Sequence, residues 1–191
     1  NFIDHQENVL IEDIDVFDNF YIISERRNGL NKLLVKSWNN SFDDYYIPMK
    51  GETYSSYVGY NPQFNSNKLR YIFSSLVSPR TVYEYDVLKK SKKVLKKNKV
   101  LDKTFNESNY IEKRIWANSR DGLKIPISIV YKKGIRLNGK NPLLQYGYGS
   151  YGSTIDPSFS STRLTLLNRG FIFAISHIRG SEYLGRNWYE G

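Results

Sequence analysis

Apolar and polar residues alternate in short runs along the first hundred positions, and the runs come in pairs separated by turn residues. Phe20-Tyr21-Ile22-Ile23-Ser24-Glu25-Arg26 leads through Asn28-Gly29 into Leu33-Leu34-Val35-Lys36-Ser37-Trp38. Farther along, Leu69-Arg70-Tyr71-Ile72-Phe73-Ser74-Ser75 leads through Ser78-Pro79 into Thr81-Val82-Tyr83-Glu84-Tyr85-Asp86. A period of two in β-branched and aromatic residues predicts strands, and the Gly, Pro, Asn and Ser between them predict turns. A third short run follows each pair, Tyr45-Tyr46-Ile47 and then Val94-Leu95. Ser24 and Ser74 lie 50 positions apart, and Leu33 and Val82 lie 49 apart. Four-strand units recurring at this spacing are the pattern of β-propeller blades. Two blades do not close a ring, so the pattern calls for further sequence upstream.

The pattern changes after about Asn109. Tyr110 to Asn118 and Leu123 to Tyr131 read as two strands joined at Arg120-Asp121-Gly122, and Asp-Gly between alternating runs is a strong hairpin signal. Gly134 to Asn141 is polar and reads as a turn. Pro142-Leu143-Leu144-Gln145-Tyr146-Gly147-Tyr148 is short and mostly apolar, as expected for a strand inside a sheet covered on both faces. Ser160 to Asn168 reads as a helix, with Ser160 or Ser161 to cap it, Leu164, Leu166 and Leu167 on its apolar side, and Gly170 to end it. Phe171 to Ser176 is a second buried strand. Strand, loop, helix and strand make a βαβ unit, the start of an α/β domain. The expected fold class is therefore mixed: all-β propeller blades over 1–108, then the beginning of an α/β domain over 109–191.

Composition narrows the function. The chain is 40% apolar and 15% aromatic, a globular balance, and no run approaches the roughly 18 apolar residues a membrane helix needs. Its first residues have neither the basic nor the apolar region of a signal peptide, and there is no initiator Met, so the true start is expected elsewhere. Cysteine is absent, which removes disulfides, thiol nucleophiles and thiolate metal sites, and fits a reducing compartment such as the cytoplasm. With only His5 and His177, no ordinary zinc site is expected, and no cofactor. The net charge of +9 is local. Eight lysines fall between Lys89 and Lys103 against Asp102 alone, while the remainder carries 20 basic and 18 acidic residues. Such a run reads as the solvated edge of a hairpin, not as a surface for nucleic acid or membrane.

Gly147-Tyr148-Gly149-Ser150-Tyr151-Gly152 matches G-x-G-x-x-G after a strand. A dinucleotide site needs a helix to open at the last glycine, and Asp156-Pro157 interrupts one; nor does an acidic residue end the next strand. A glycine turn leaving an α/β-hydrolase strand is also where an oxyanion-hole donor resides, and Tyr148 offers a phenolic O–H. Equally, Tyr146, Tyr148 and Tyr151 could pack at a domain boundary, and local sequence leaves both readings open. There is no G-x-S-x-G, and neither histidine has an argued partner, so no nucleophile–base pair is read here.

These residues carry a family resemblance. Pro142 to Gly152, then Ser161-Thr-Arg-Leu-Thr-Leu-Leu-Asn-Arg-Gly-Phe171, resemble the opening of the hydrolase domain of prolyl-oligopeptidase-family serine peptidases. His177-Ile-Arg-Gly-Ser-Glu-Tyr-Leu-Gly-Arg-Asn-Trp188-Tyr-Glu-Gly is similar to that family's next signature, with Ser181 standing where a second glycine is usual. Val9 to Asp15, Gly59 to Pro62, Lys68 to Tyr71, Thr81 to Tyr85 and Trp116 to Gly122 resemble its oligopeptidase B branch. The resemblance covers nearly the whole chain. It implies a seven-bladed propeller capping an α/β-hydrolase domain, with short peptides cleaved after Lys or Arg, and it implies that Tyr148 is the oxyanion-hole tyrosine. The triad serine, aspartate and histidine, and the acidic residues that hold the basic side chain, would all lie C-terminal to Gly191. The chain alone is then expected to be inactive, its partners being peptide substrates and a C-terminal hydrolase portion. A non-catalytic propeller-derived binding module is the alternative.

Overall fold

The computed structural model describes residues 2–191. Two four-stranded antiparallel sheets come first: β1 (Val9–Val16), β2 (Phe20–Arg27), β3 (Leu30–Ser37) and β4 (Tyr45–Tyr46), then β5 (Tyr54–Val58), β6 (Lys68–Ser75), β7 (Thr81–Asp86) and β8 (Ser91–Lys97). Each is a simple meander in which successive strands are neighbours, the topology of a propeller blade. The predicted pairs are β2/β3 and β6/β7. Arg27 pairs with Leu30 across a two-residue turn in which Asn28 and Gly29 have φ of 50° and 77°, the left-handed turn that Asn-Gly favours.

The two blades bury one layer between them. Ile22, Leu33 and Val35 of the first face Leu69, Tyr71 and Tyr85 of the second, with Phe17, Phe20, Ile47 and Val87 closing the ends. Alternate positions on paired strands point the same way, so the period of two in sequence becomes one apolar face. The lysine run lies as expected: β8 is the outermost strand of its sheet and exposed at all seven positions. Lys93 reaches Glu84 at 3.0 Å, Lys97 reaches Glu107, and Lys92 lies over the Tyr83 ring.

A third sheet follows: β9 (Tyr110–Asn118), β10 (Lys124–Lys132), β11 (Leu143–Gly147) and β12 (Ile172–Ser176), in the order β11-β12-β10-β9. The β9/β10 hairpin turns where predicted, Gly122 N–H donating to the Ser119 carbonyl at 3.1 Å. Between β11 and β12, which pair in parallel, α1 (Ser161–Asn168) makes the crossover. Its N-cap, Ser160, makes no side-chain cap bond; the Ser160 hydroxyl bonds Thr162 instead. Its end is as predicted. Gly170 has φ of 87°, and the N–H groups of Gly170 and Phe171 donate to the Leu167 and Leu166 carbonyls. Leu164 and Leu167 bury against Val130 and Ile175. A short helix, α2 (Arg186–Glu190), follows β12.

The strand over Pro142 to Tyr148 forms as β11, which among the described residues pairs with β12 alone and is exposed at all five positions. In β12 the last three residues are buried, as expected.

Candidate functional site

The loop of Gly147 to Gly152 leaves the C-terminal end of β11 and is backed by a second loop, Ile178 to Glu182, leaving the end of β12. The two are joined backbone to backbone: Gly152 N–H donates to the Gly180 carbonyl at 3.0 Å, and Glu182 N–H to the Gly152 carbonyl at 2.9 Å. They lie so close that side chains are excluded. A Cβ on Gly149 would collide with the Arg179 carbonyl oxygen, and one on Gly180, where φ is 83°, with the Gly149 carbonyl oxygen. Two glycines are therefore required for a clasp between loops, a different use from the approach of a phosphate.

Ser181 fits this clasp without a second glycine. It is buried, its backbone is outside the left-handed region, and its hydroxyl donates to the Ile178 carbonyl at 2.7 Å. Tyr148 stands on the outer side of the loop and is 40% exposed, while Tyr151, at φ of 57°, is 88% exposed. Tyr146, on β11, is likewise exposed.

His177, at the root of the second loop, does have a partner that the sequence did not reveal. The Ser128 hydroxyl lies 2.8 Å from His177 Nε2. A serine–histidine bond invites a catalytic reading, and its surroundings refuse it. Ser128 is 0% exposed and His177 3%, so no substrate reaches them. Burial, with Arg114 and Arg26 near, pushes the imidazole down to about 3, too weak a base to activate a hydroxyl near neutrality. The ring stacks on Tyr183 at 3.6 Å, with planes 7° apart. His177 is a packing residue.

That environment has a measurable consequence. His177 stays neutral in the fold but protonates near 6.5 when unfolded, so the unfolded state takes up the proton first as pH falls. The contribution is fully present above about 6.5 and is lost progressively down to about 3. From about pH 7 to about pH 5 the loss is about 2 kcal/mol. In the full-length polypeptide, His177→Gln should flatten this part of the pH–stability curve. An unchanged curve would show that the ring accepts a proton without cost.

Beside this stack lies the seam between the first blade and the third sheet. Arg26 of β2 has a side chain only 2% exposed, and its guanidinium bonds Asp156 through two nitrogens, at 2.7 and 3.2 Å. The same group bonds Glu12 of β1 at 2.7 and 2.9 Å. Buried charge is tolerated because two carboxylates share the cation, and they hold its protonated form firmly. The Asn28-Gly29 turn ends against the ring of Tyr183, which leaves no space for a Cβ on Gly29. Sequence reading placed Arg26 in a strand and Asp156 in a helix-breaking pair, and gave neither these two nor Tyr183 a role at a seam. The available signal was an arginine continuing an otherwise buried strand pattern.

Among the described residues no group of three or more His, Cys, Asp or Glu side chains could hold a metal ion, and no helix is long and apolar enough to cross a membrane.

Comparison with known proteins agrees with this architecture. Residues 1–98 match the family described as prolyl oligopeptidase, N-terminal beta-propeller domain. Dipeptidyl aminopeptidase BI of Pseudoxanthomonas mexicana is 39% identical over 187 residues, 97% of this chain and 25% of that protein. Protease 2 of Moraxella lacunata is 30% identical over 190 residues, 100% of this chain and 27% of that protein. Among solved structures, oligopeptidase B from Trypanosoma brucei with covalently bound antipain superposes with a TM-score of 0.90 at 37% identity, covering 98% of this chain and 27% of that one. Oligopeptidase B from Leishmania major gives 0.89 at 32% identity, with the same coverage. The chain spans about a quarter of the length of the curated relatives it matches. With two meander blades inside the matched stretch and these relatives along nearly all its length, the chain belongs to the prolyl oligopeptidase family, whose members are serine peptidases.

Proposed function

We propose that this chain is a portion of an oligopeptidase B-like serine endopeptidase that cleaves short peptides after Lys or Arg. In this reading residues 1–108 are the last blades of the propeller, and 109–191 open the α/β-hydrolase domain with a hairpin and one βαβ unit. The observation that carries it is the junction: a parallel β11–α1–β12 crossover whose strand ends carry the two clasped loops, with Tyr148 presented outward. Ligand sites of open α/β sheets form beyond the carboxyl ends of their strands, which is where these loops stand. Tyr148 is the oxyanion-hole donor, its O–H meeting the charge that develops on the scissile carbonyl oxygen. No cofactor takes part, and the absence of cysteine suits a cytoplasmic enzyme.

Among the described residues no accessible nucleophile is paired with a base, so the chain by itself is inactive. A second reading, release of dipeptides, is favoured by the 39% identity to a protein named dipeptidyl aminopeptidase BI. The test uses arginyl, lysyl, prolyl and dipeptidyl chromogenic reporters with the pure chain and with the full-length polypeptide. The chain should turn over none, and the full-length protein should prefer arginyl and lysyl reporters. Dipeptidyl preference would select the second reading, and an inert full-length protein would leave a binding module. Turnover by the chain, blocked by a serine-directed reagent, would sink the assignment.

A further inference from the structure

Two ties join the segment after the Tyr148 loop to the blades. Residues 153–160 run without regular structure from Gly152 to the start of α1. At Asp156 this segment is gripped by buried Arg26 of the first blade, through two nitrogens. At Phe159 its N–H donates to the Ser74 hydroxyl of the second blade at 3.0 Å, and Ser74 in turn donates to the Ser78 carbonyl. The other arm of the clasp ends the same way, Tyr183 abutting the β2–β3 turn. Both loops are thus held to one another through Gly152, Gly180 and Glu182, and to the propeller at their exits. Both tyrosine rings within the loop are exposed, so it is held by its clasped backbone and by these ties.

We infer that Arg26, acting through Asp156, is a positioning residue for the Tyr148 hydroxyl, so that the seating of the first propeller blade sets the aim of the oxyanion donor. The inference rests on the donor reading of Tyr148. Its physical basis is directional. A guanidinium held on one side by Glu12 presents a fixed fork, and a carboxylate bound to both prongs is fixed in orientation as well as in distance. Asp156 lies four residues beyond Gly152, close enough in the chain for its position to limit the loop. An oxyanion donor is sensitive to such limits, because displacement by about an ångström costs orders of magnitude in rate.

Removing Arg26 would take the cation from two part-exposed carboxylates at once, so the informative variant is Asp156→Asn. It keeps the shape and one acceptor oxygen, and it leaves Arg26 with Glu12. In the full-length polypeptide, Asp156→Asn should lower kcat about tenfold with KM within about twofold. The deciding measurement is the same change made in a Tyr148→Phe background, where it should alter kcat by less than about twofold, since no hydroxyl remains to be aimed. A purely structural latch would reduce the folded fraction equally in both backgrounds, and equal losses overturn the inference. A silent Asp156→Asn beside a damaging Tyr148→Phe also overturns it, while leaving the donor in place. A silent Tyr148→Phe removes the donor reading and the inference together. Should Asp156→Asn fail to fold, Arg26→Lys keeps a cation beside Glu12 and Asp156 but loses the two-pronged grip, and the same cycle with Tyr148→Phe decides the matter.

Discussion

Replacing Tyr148 by phenylalanine in the full-length polypeptide is expected to lower kcat/KM by roughly 10- to 1,000-fold, the range for removing one oxyanion-hole donor. The ring stays, so packing is unchanged, and the exposed hydroxyl makes no hydrogen bond among the described residues whose loss would destabilise the fold. The loss should be larger for substrates with poor leaving groups, because more charge must build on the carbonyl oxygen before the bond breaks. Tyr146→Phe is the internal control, two residues earlier and also exposed, and its rate should stay within about threefold. Steady-state kinetics on an amide and an activated ester of the same arginyl peptide check both points. Equal losses at Tyr146 and Tyr148 would assign the sensitivity to the whole loop and remove the donor from Tyr148.

Gly149→Ala should be among the most damaging single methyls in the chain. Gly149 is outside the left-handed region, so alanine meets no backbone strain there. The cost is spatial alone: the new Cβ enters the Arg179 carbonyl and the side chain of Ile178. Relief requires parting the clasp, which breaks both hydrogen bonds between Gly152 and the second loop. A destabilisation of about 3 kcal/mol or more is expected, with loss of activity from the same displacement. Gly147→Ala, two residues away, meets the Ser176 carbonyl at an ordinary 3.5 Å and should cost less than about 1 kcal/mol. Thermal unfolding of both variants decides it, and a Gly149→Ala protein as stable as the parent would mean that the loops do not lie together in solution.

Much of the fold was legible because burial falls on one face at a time. β3 alternates cleanly and β2 is buried at seven of its eight positions, and Ile22, Leu33, Val35, Leu69, Tyr71 and Tyr85 of the four predicted strands pack into the layer between the blades. The first strand of each blade escaped notice for identifiable reasons. β1 carries acidic residues at positions 12, 13 and 15, buries none of its eight, and contains a register shift between Ile11 and Asp13 that interrupts its period. β5 buries two serines within its run, where a pattern reader expects apolar residues. Ser56 is tolerated there because its hydroxyl donates to the Ile72 carbonyl at 2.9 Å. At the site, the glycine loop was legible from its spacing, and Tyr148 from its place within the loop. What the loop rests on was not. The clasp, the Ser128–His177 bond and the Arg26 seam all join residues far apart in sequence, and only chain topology brings them together.

The Arg26 seam also bears on how the chain is made. Arg26 and Asp156 are separated by 130 positions, whereas Glu12 precedes Arg26 by only 14. At roughly 5 to 20 residues per second of synthesis, Asp156 emerges roughly 6 to 26 seconds after the arginine that it will neutralise. Glu12 is on hand throughout that interval, on the adjacent strand of the same meander. It keeps the cation paired while the blade assembles and while the third sheet is still inside the ribosome. The second carboxylate around Arg26 thus gives the nascent blade a provisional partner, and Asp156 arrives to complete the pair once the blade is already in place.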